Sequence, residues 1–237
     1  HLGSWGYLTV LPSFPGGFTN PPTHETLADW LGEILDWLEA EDLRSDSVLH
    51  GRVDRARVGL SGHSMGGKVG LLLATRDPRV AASFTVDPVD STSPVGDPAG
   101  FPSVTPELMA ELTIPLGFVG ETLDAVPIEG SSIACAPEAD NFQQYFAHAV
   151  GPAISIEVVG AHHMSFIDDA DCGLPCLVCQ SPALDHATAL SLAQRSLTAF
   201  YQVTLKGEDS WRAWLTGAPA RSDQKAGQLI IETANGF

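Results

Sequence analysis

The chain has 237 residues, 44% of them hydrophobic, and its 12 Lys and Arg against 29 Asp and Glu give a formal net charge of −17. Such a length fits a single α/β domain over residues 1–237 with a substantial core. The charge repels phosphate backbones and anionic membranes, so nucleic acid is not an expected partner, and no apolar run approaches the roughly 18 residues of a membrane span.

In chain order, His1 to Pro12 reads as the end of a helix, a Gly turn and a buried strand. A start inside a helix leads us to expect that upstream strands of the sheet lie on a separate N-terminal fragment, cleaved off or belonging to another polypeptide. After a Pro/Gly loop, Thr23 caps a helix in which Leu27, Trp30, Leu31, Ile34, Leu35 and Leu38 recur at helical spacing, with Asp29, Glu33, Asp36 and Glu39 on the other face. An apolar strand then runs from Val58 into Gly62-His63-Ser64-Met65-Gly66, and a Leu-rich helix leaves it, ending before Asp77-Pro78. Val80 to Val86 and Ile114 to Val119 read as strands, Ala136 to Ala149 as a helix, and Ile154 to Val159 as the last clear strand. Leu184 to Leu205 forms a long helix, and Gln228 to Ile231 is a candidate final strand. Alternating strands and helices imply a doubly wound, mainly parallel sheet.

The pentapeptide Gly62 to Gly66 is a G-x-S-x-G motif in the strand–turn–helix setting where that motif places a nucleophile. On such a turn the Ser64 hydroxyl projects outward, and the Met65 N–H faces a developing oxyanion. Gly62 and Gly66 are expected to let strand and helix approach where a Cβ would collide. A second oxyanion donor is expected from the loop upstream of residue 1. A serine hydroxyl also needs an imidazole to take its proton and a carboxylate to hold that imidazole, and in open parallel sheets these gather at the C-terminal strand ends.

Among the histidines, His162 and His163 follow the Ile154 strand directly, with His163 preferred as base and His162 as its alternative. His63 is also at a strand end, but its place inside the turn disfavours it. For the acid, Asp87 ends the strand after the nucleophile's helix and Asp124 ends the next one. Spacing leaves both open.

Taken together, Gly62-His63-Ser64-Met65-Gly66-Gly67-Lys68, Val86-Asp87-Pro88-Val89-Asp90, Cys135-Ala136-Pro137-Glu138 and His163-Met164, with Asp168-Asp169 downstream, resemble the chlorophyllase-like branch of the α/β-hydrolases. The likeness covers most of residues 1–200 in the same order. It implies an α/β-hydrolase fold, here without its N-terminal strands, and a serine carboxylic-ester hydrolase with no cofactor. Chlorophyllases cleave an ester joining a long alcohol to a tetrapyrrole acid through a Ser-Asp-His triad. By that resemblance Asp87 is the acid and His163 the base. The chain departs in carrying Met65 where plant chlorophyllases carry arginine. Gly120-Glu121-Thr122-Leu123-Asp124-Ala125-Val126-Pro127 is similar instead to the acid loop of bacterial cutinases and polyester hydrolases, relatives of the dienelactone hydrolases, which keeps Asp124 as the alternative acid.

The expected substrate is therefore a small-molecule, lipid or polymer ester, cleaved through an acyl-enzyme. Thioesterase or acyltransferase chemistry on the same scaffold, and a non-catalytic binding member of the fold, are the competing classes. Residues 91–113 are a candidate pocket wall. Asp168, Asp169 and Asp171 could in principle ligate a cation, but acids beside such a loop are more often solvated, and no metal is expected. Cys135, Cys172, Cys176 and Cys179 fit two disulfides better than thiols or a metal site, with three pairings open. Disulfides would place the protein in a secreted or periplasmic setting.

Overall fold

The computed structural model describes residues 1–17, 20–91, 99–169 and 173–237, the side chains of 174 and 175 excepted. Part of the candidate pocket wall (92–98), Asp171 and Cys172 lie outside the described residues. Five strands form one sheet in sequence order: β1 (Val58–Leu60), β2 (Val80–Val86), β3 (Leu116–Glu121), β4 (Ala153–Val158) and β5 (Leu229–Ala234). The first four run parallel, and β5 pairs antiparallel to β4. This is the mixed α/β architecture with a mainly parallel sheet that the alternation of elements led us to expect.

Side-chain alternation along the strands divides the interior into two cores. Leu116 and Phe118 of β3 and Ala153 of β4 face a cluster with Leu27, Ala28 and Leu35 of α1 (His24–Leu43), Val69 to Leu73 of α2 (Met65–Ala74), and Phe142 and Tyr145 of α3 (Phe142–Ala147). Ala82, Phe84, Val119, Ile154, Ile156 and Val158 face the other way, onto Leu192, Ala199, Phe200 and Tyr201 of α4 (His186–Thr204). Having α2 and α3 on one face follows from right-handed crossovers that advance the sheet in one direction. Two short helices, α5 (Ala213–Thr216) and α6 (Ala218–Lys225), lead the tail back to β5.

Local chemistry sets the helix starts. The Thr23 hydroxyl accepts from the Thr26 N–H at 3.1 Å, and the Asp185 carboxylate accepts from the Thr188 N–H at 2.9 Å, each satisfying an otherwise orphaned donor. Tyr201 plugs the sheet from below: its hydroxyl donates to Leu60 O at 2.5 Å and accepts from Phe84 N at 3.1 Å, joining β1 to β2.

Three expectations change. Leu2–Trp5 is a single 3-10 turn, and Tyr7 to Leu11 forms no strand. Leu8, Val10 and Leu11 are 50%, 40% and 88% exposed there, because among the described residues no strand pairs with this segment. The helix expected from Ala136 starts only at Phe142, capped by the Asn141 side chain. Its first residues are tied to the loop after β3 and into a turn instead, with Ala136 N donating to Asp124 O and Asp140 N to Pro137 O. The tail strand, in turn, is longer than its four-residue apolar run and antiparallel.

Candidate active site

The turn after β1 is built by backbone crowding. A Cβ on Gly62 would lie 2.4 Å from the Gly66 carbonyl carbon, and one on Gly67 would lie 3.0 Å from both Gly62 O and Pro88 Cβ. A Cβ on Gly66 itself would meet nothing within 4 Å, so the close approach requires glycine at 62 and 67 rather than at 62 and 66. Ser64 takes φ 54° and ψ −126°, and its N–H donates to Val86 O at 3.0 Å, which ties the turn to the end of β2. The N–H groups of Gly67 and Lys68 donate back to Ser64 O. Met65 is the first residue of α2, so its N–H belongs to the donors that a helix start leaves outside the ladder.

Ser64, His163 and Asp87 meet at the strand ends. Ser64 Oγ is 2.9 Å from His163 Nε2, and His163 Nδ1 is 2.7 Å from Asp87 Oδ2. His163 opens a 3-10 turn just beyond β4, and Asp87 follows β2 directly. Asp87 has φ 44°, and its N–H donates to Val119 O at 2.6 Å, so the residue bends out of the strand line toward the imidazole.

Asp124 and His162 are placed differently. The Asp124 carboxylate accepts from two backbone donors, His163 N at 2.7 Å and Gln180 N at 2.6 Å, so it holds the histidine's main chain rather than its ring. His162 groups with Asp124 and Cys179, one ligand atom of each lying within 4.8 Å of the others. That trio does not make a metal site as it stands. Cys179 is bonded to Cys135 in a disulfide, and both Asp124 oxygens already accept backbone N–H groups. Cys176 is disulfide-bonded as well, and Asp168 and Asp169 are exposed.

Sequence reasoning did not foresee two further groups. His63, set aside as a base, places Nε2 2.8 Å from His163 O, with the two rings 4.5 Å apart. Glu121 ends β3 and accepts from the N–H groups of Leu123 and Asp124. The only sequence signal for either was proximity to a strand end, which says nothing about side-chain direction.

Electrostatically the site is a buried cluster of histidines and carboxylates. Burial lowers His163 to about 4, against the opposing pull of Asp124. Burial, then the neighbouring His163, lowers His63 to about 4. Burial, then the charge of Asp87, pushes Glu121 up to about 8, and burial followed by Asp124 pushes Asp87 above the usual carboxylate range. All four shifts act against charge at rest. Among the described residues, Asp87 Oδ1 and Glu121 Oε1 are buried with no hydrogen-bond partner.

A family model described as Chlorophyllase matches residues 1–216. Among curated proteins, the chain is similar to Chlorophyllase-2 of Arabidopsis thaliana, with 23% identity over 183 residues. That match covers 73% of this chain and 56% of the relative, so the chain spans little more than half the relative's length.

Proposed function

The chain belongs to the chlorophyllase family, which is of the α/β-hydrolase type, and from that membership we propose that it is a serine carboxylic-ester hydrolase. Ser64 is the nucleophile, His163 the base and Asp87 the acid in this reading. The observation that carries it is the unbroken relay of 2.9 Å and 2.7 Å from Ser64 Oγ through His163 to Asp87.

With its proton on Nδ1, His163 donates to the Asp87 carboxylate and leaves the Nε2 lone pair facing Ser64 Oγ. His163 takes the hydroxyl proton as Ser64 attacks the ester carbonyl, and Asp87 stabilises the imidazolium that forms. The Met65 N–H supplies one donor to the tetrahedral oxyanion, a contribution of about 3 kcal/mol where such donors have been removed in other hydrolases. The imidazolium then protonates the departing alkoxide, and water hydrolyses the acyl-serine by the same route. No step requires a cofactor. Met65, 45% exposed beside the nucleophile, offers an apolar lip to the substrate, in keeping with an ester that carries a long apolar alcohol or acid. The Cys135–Cys179 bond supports an oxidising, exported setting.

The test is turnover of p-nitrophenyl esters by Ser64→Ala. We expect kcat to fall by at least about 10³-fold, and a variant that turned over normally would overturn the reading. Comparing short-chain, long-chain, phytyl and polymeric esters with the wild-type protein then assigns the substrate class.

A further inference from the structure

All four polar groups of Asp124 are committed, and none of them goes to the imidazole. Its N–H donates to Glu121 Oε2 at 2.7 Å, and its carbonyl accepts from Ala136 N at 3.1 Å. Carboxylate Oδ1 accepts from Gln180 N at 2.6 Å and Oδ2 from His163 N at 2.7 Å. Ala136 and Gln180 are the residues that follow Cys135 and Cys179, and those two cysteines are bonded to each other. The disulfide and Asp124 therefore close one ring: each half-cystine is succeeded by an N–H that lands on Asp124, and the free arm of Asp124 reaches the main chain of His163. The Gln180 side chain adds contacts to Val126 O and Pro127 O at 3.4 and 3.3 Å, which brace the same loop.

The opposite side of His163 is held as well, since its carbonyl oxygen lies 2.8 Å from His63 Nε2. With both backbone groups fixed, the ring reaches Ser64 Oγ and Asp87 Oδ2 together. Asp124 is fully buried, where an unmade hydrogen bond is costly and a made one is correspondingly directional.

We propose that Asp124 is a positioning residue, which sets the imidazole of His163 between Ser64 and Asp87 by holding the His163 main chain, and that the Cys135–Cys179 disulfide acts through it. This rests on the reading of Ser64, His163 and Asp87 as the reacting groups. Misplacing a reacting group by about 1 Å costs on the order of 100-fold in rate, so the effect belongs in kcat rather than in substrate binding.

The experiment measures kcat and KM on p-nitrophenyl esters for Asp124→Ala, Asp124→Asn and the double variant Cys135→Ser with Cys179→Ser, with folding checked by circular dichroism below each variant's melting temperature. For Asp124→Ala we expect kcat to fall roughly 100-fold with KM within about twofold of wild type. Asp124→Asn keeps one accepting oxygen and should lose less. The cysteine variant should lower kcat by itself, yet add little to Asp124→Ala, because both act through one contact chain. Unchanged kcat in folded Asp124→Ala, or a rise in KM alone, overturns the proposal. So does full additivity of the cysteine and Asp124 changes. Should Asp124→Ala not fold, Asp124→Asn carries the test by the same criteria.

Ser64→Ala and Asp87→Asn separate this claim from the one beneath it. If both are inactive while Asp124→Ala matches wild type, only the positioning role fails. Near-normal turnover by Asp87→Asn together with a dead Asp124→Asn would instead make Asp124 the acid and overturn both.

Discussion

Ser64 and Asp87 both hold positive φ, 54° and 44°, a backbone state that costs on the order of 1–3 kcal/mol for a residue with a side chain. Each is held there by a main-chain bond, Ser64 N to Val86 O and Asp87 N to Val119 O. Burial has a second consequence at this scale. His163 and His63 are lowered from 6.5 to about 4, so each binds fewer protons folded than unfolded. The stability they contribute is complete above pH 6.5 and is lost as pH falls toward 4. The neutral imidazole required of a base persists over the same range. In a pH profile, the acid limb of kcat/KM should therefore lie below pH 6.5; an acid limb at or above 6.5 would contradict this. Glu121 has the opposite sign. Raised from 4.5 to about 8, its contribution is complete below pH 4.5 and lost as pH rises through 8. Glu121→Gln keeps an accepting oxygen without the charge, so it should raise the melting temperature at pH 9 and leave it nearly unchanged at pH 5. A lower melting temperature at pH 9 would count against that account.

At the scale of elements, the buried pair Lys68–Asp90 ties α2, the helix that follows Ser64, to the loop that carries Asp87. Lys68 Nζ is 3.0 Å from Asp90 Oδ1 and donates to Ser91 O at 2.7 Å, with the two side chains 0% and 1% exposed. The same Asp90 carboxylate accepts from Ser103 Oγ at 2.6 Å and from the N–H groups of Val104 and Thr105. Removing one partner leaves an uncompensated buried charge, so Lys68→Met should destabilise the fold by about 3–5 kcal/mol in urea unfolding. A loss below about 1 kcal/mol would mean that the pair is structurally idle. Elements with a strong period were legible in the sequence: α1 from apolar residues at helical spacing and a cap at Thr23, α4 from its apolar residues, β2 and β4 from β-branched runs that stop at turn residues. Where the signal was a short apolar run, its context decided instead. Leu8 to Leu11 reads as a strand but has no pairing partner among the described residues, and the N–H groups of Ala136, Glu138 and Asp140 are committed to the loop after β3 and to a turn rather than to a helix.

For the whole molecule, sequence order and strand ends pointed to one edge of the sheet before any side chain was placed. The doubly wound reading follows from alternation, and parallel strands put their C-terminal ends on one edge, which is why Ser64, Asp87, Asp124 and His163 were all candidates. What separates Asp87 from Asp124 is direction, set by one positive φ and by two backbone N–H groups from loops far apart in sequence, and neither is visible in spacing. The roles of His63, Gln180 and the Cys135–Cys179 bond were hidden for the same reason. At this scale the net charge of −17 predicts that the protein stays free of anionic vesicles at low salt, where electrostatic attraction would be strongest; sedimentation with them would contradict it.

The most direct measurement is the site and rate of labelling by a fluorophosphonate, read by intact mass and peptide mapping on the wild type and on His163→Ala. The account predicts one adduct, on Ser64, forming at least about 10³-fold more slowly once the imidazole is gone. An adduct on another residue, or equal labelling rates in the two proteins, would contradict it.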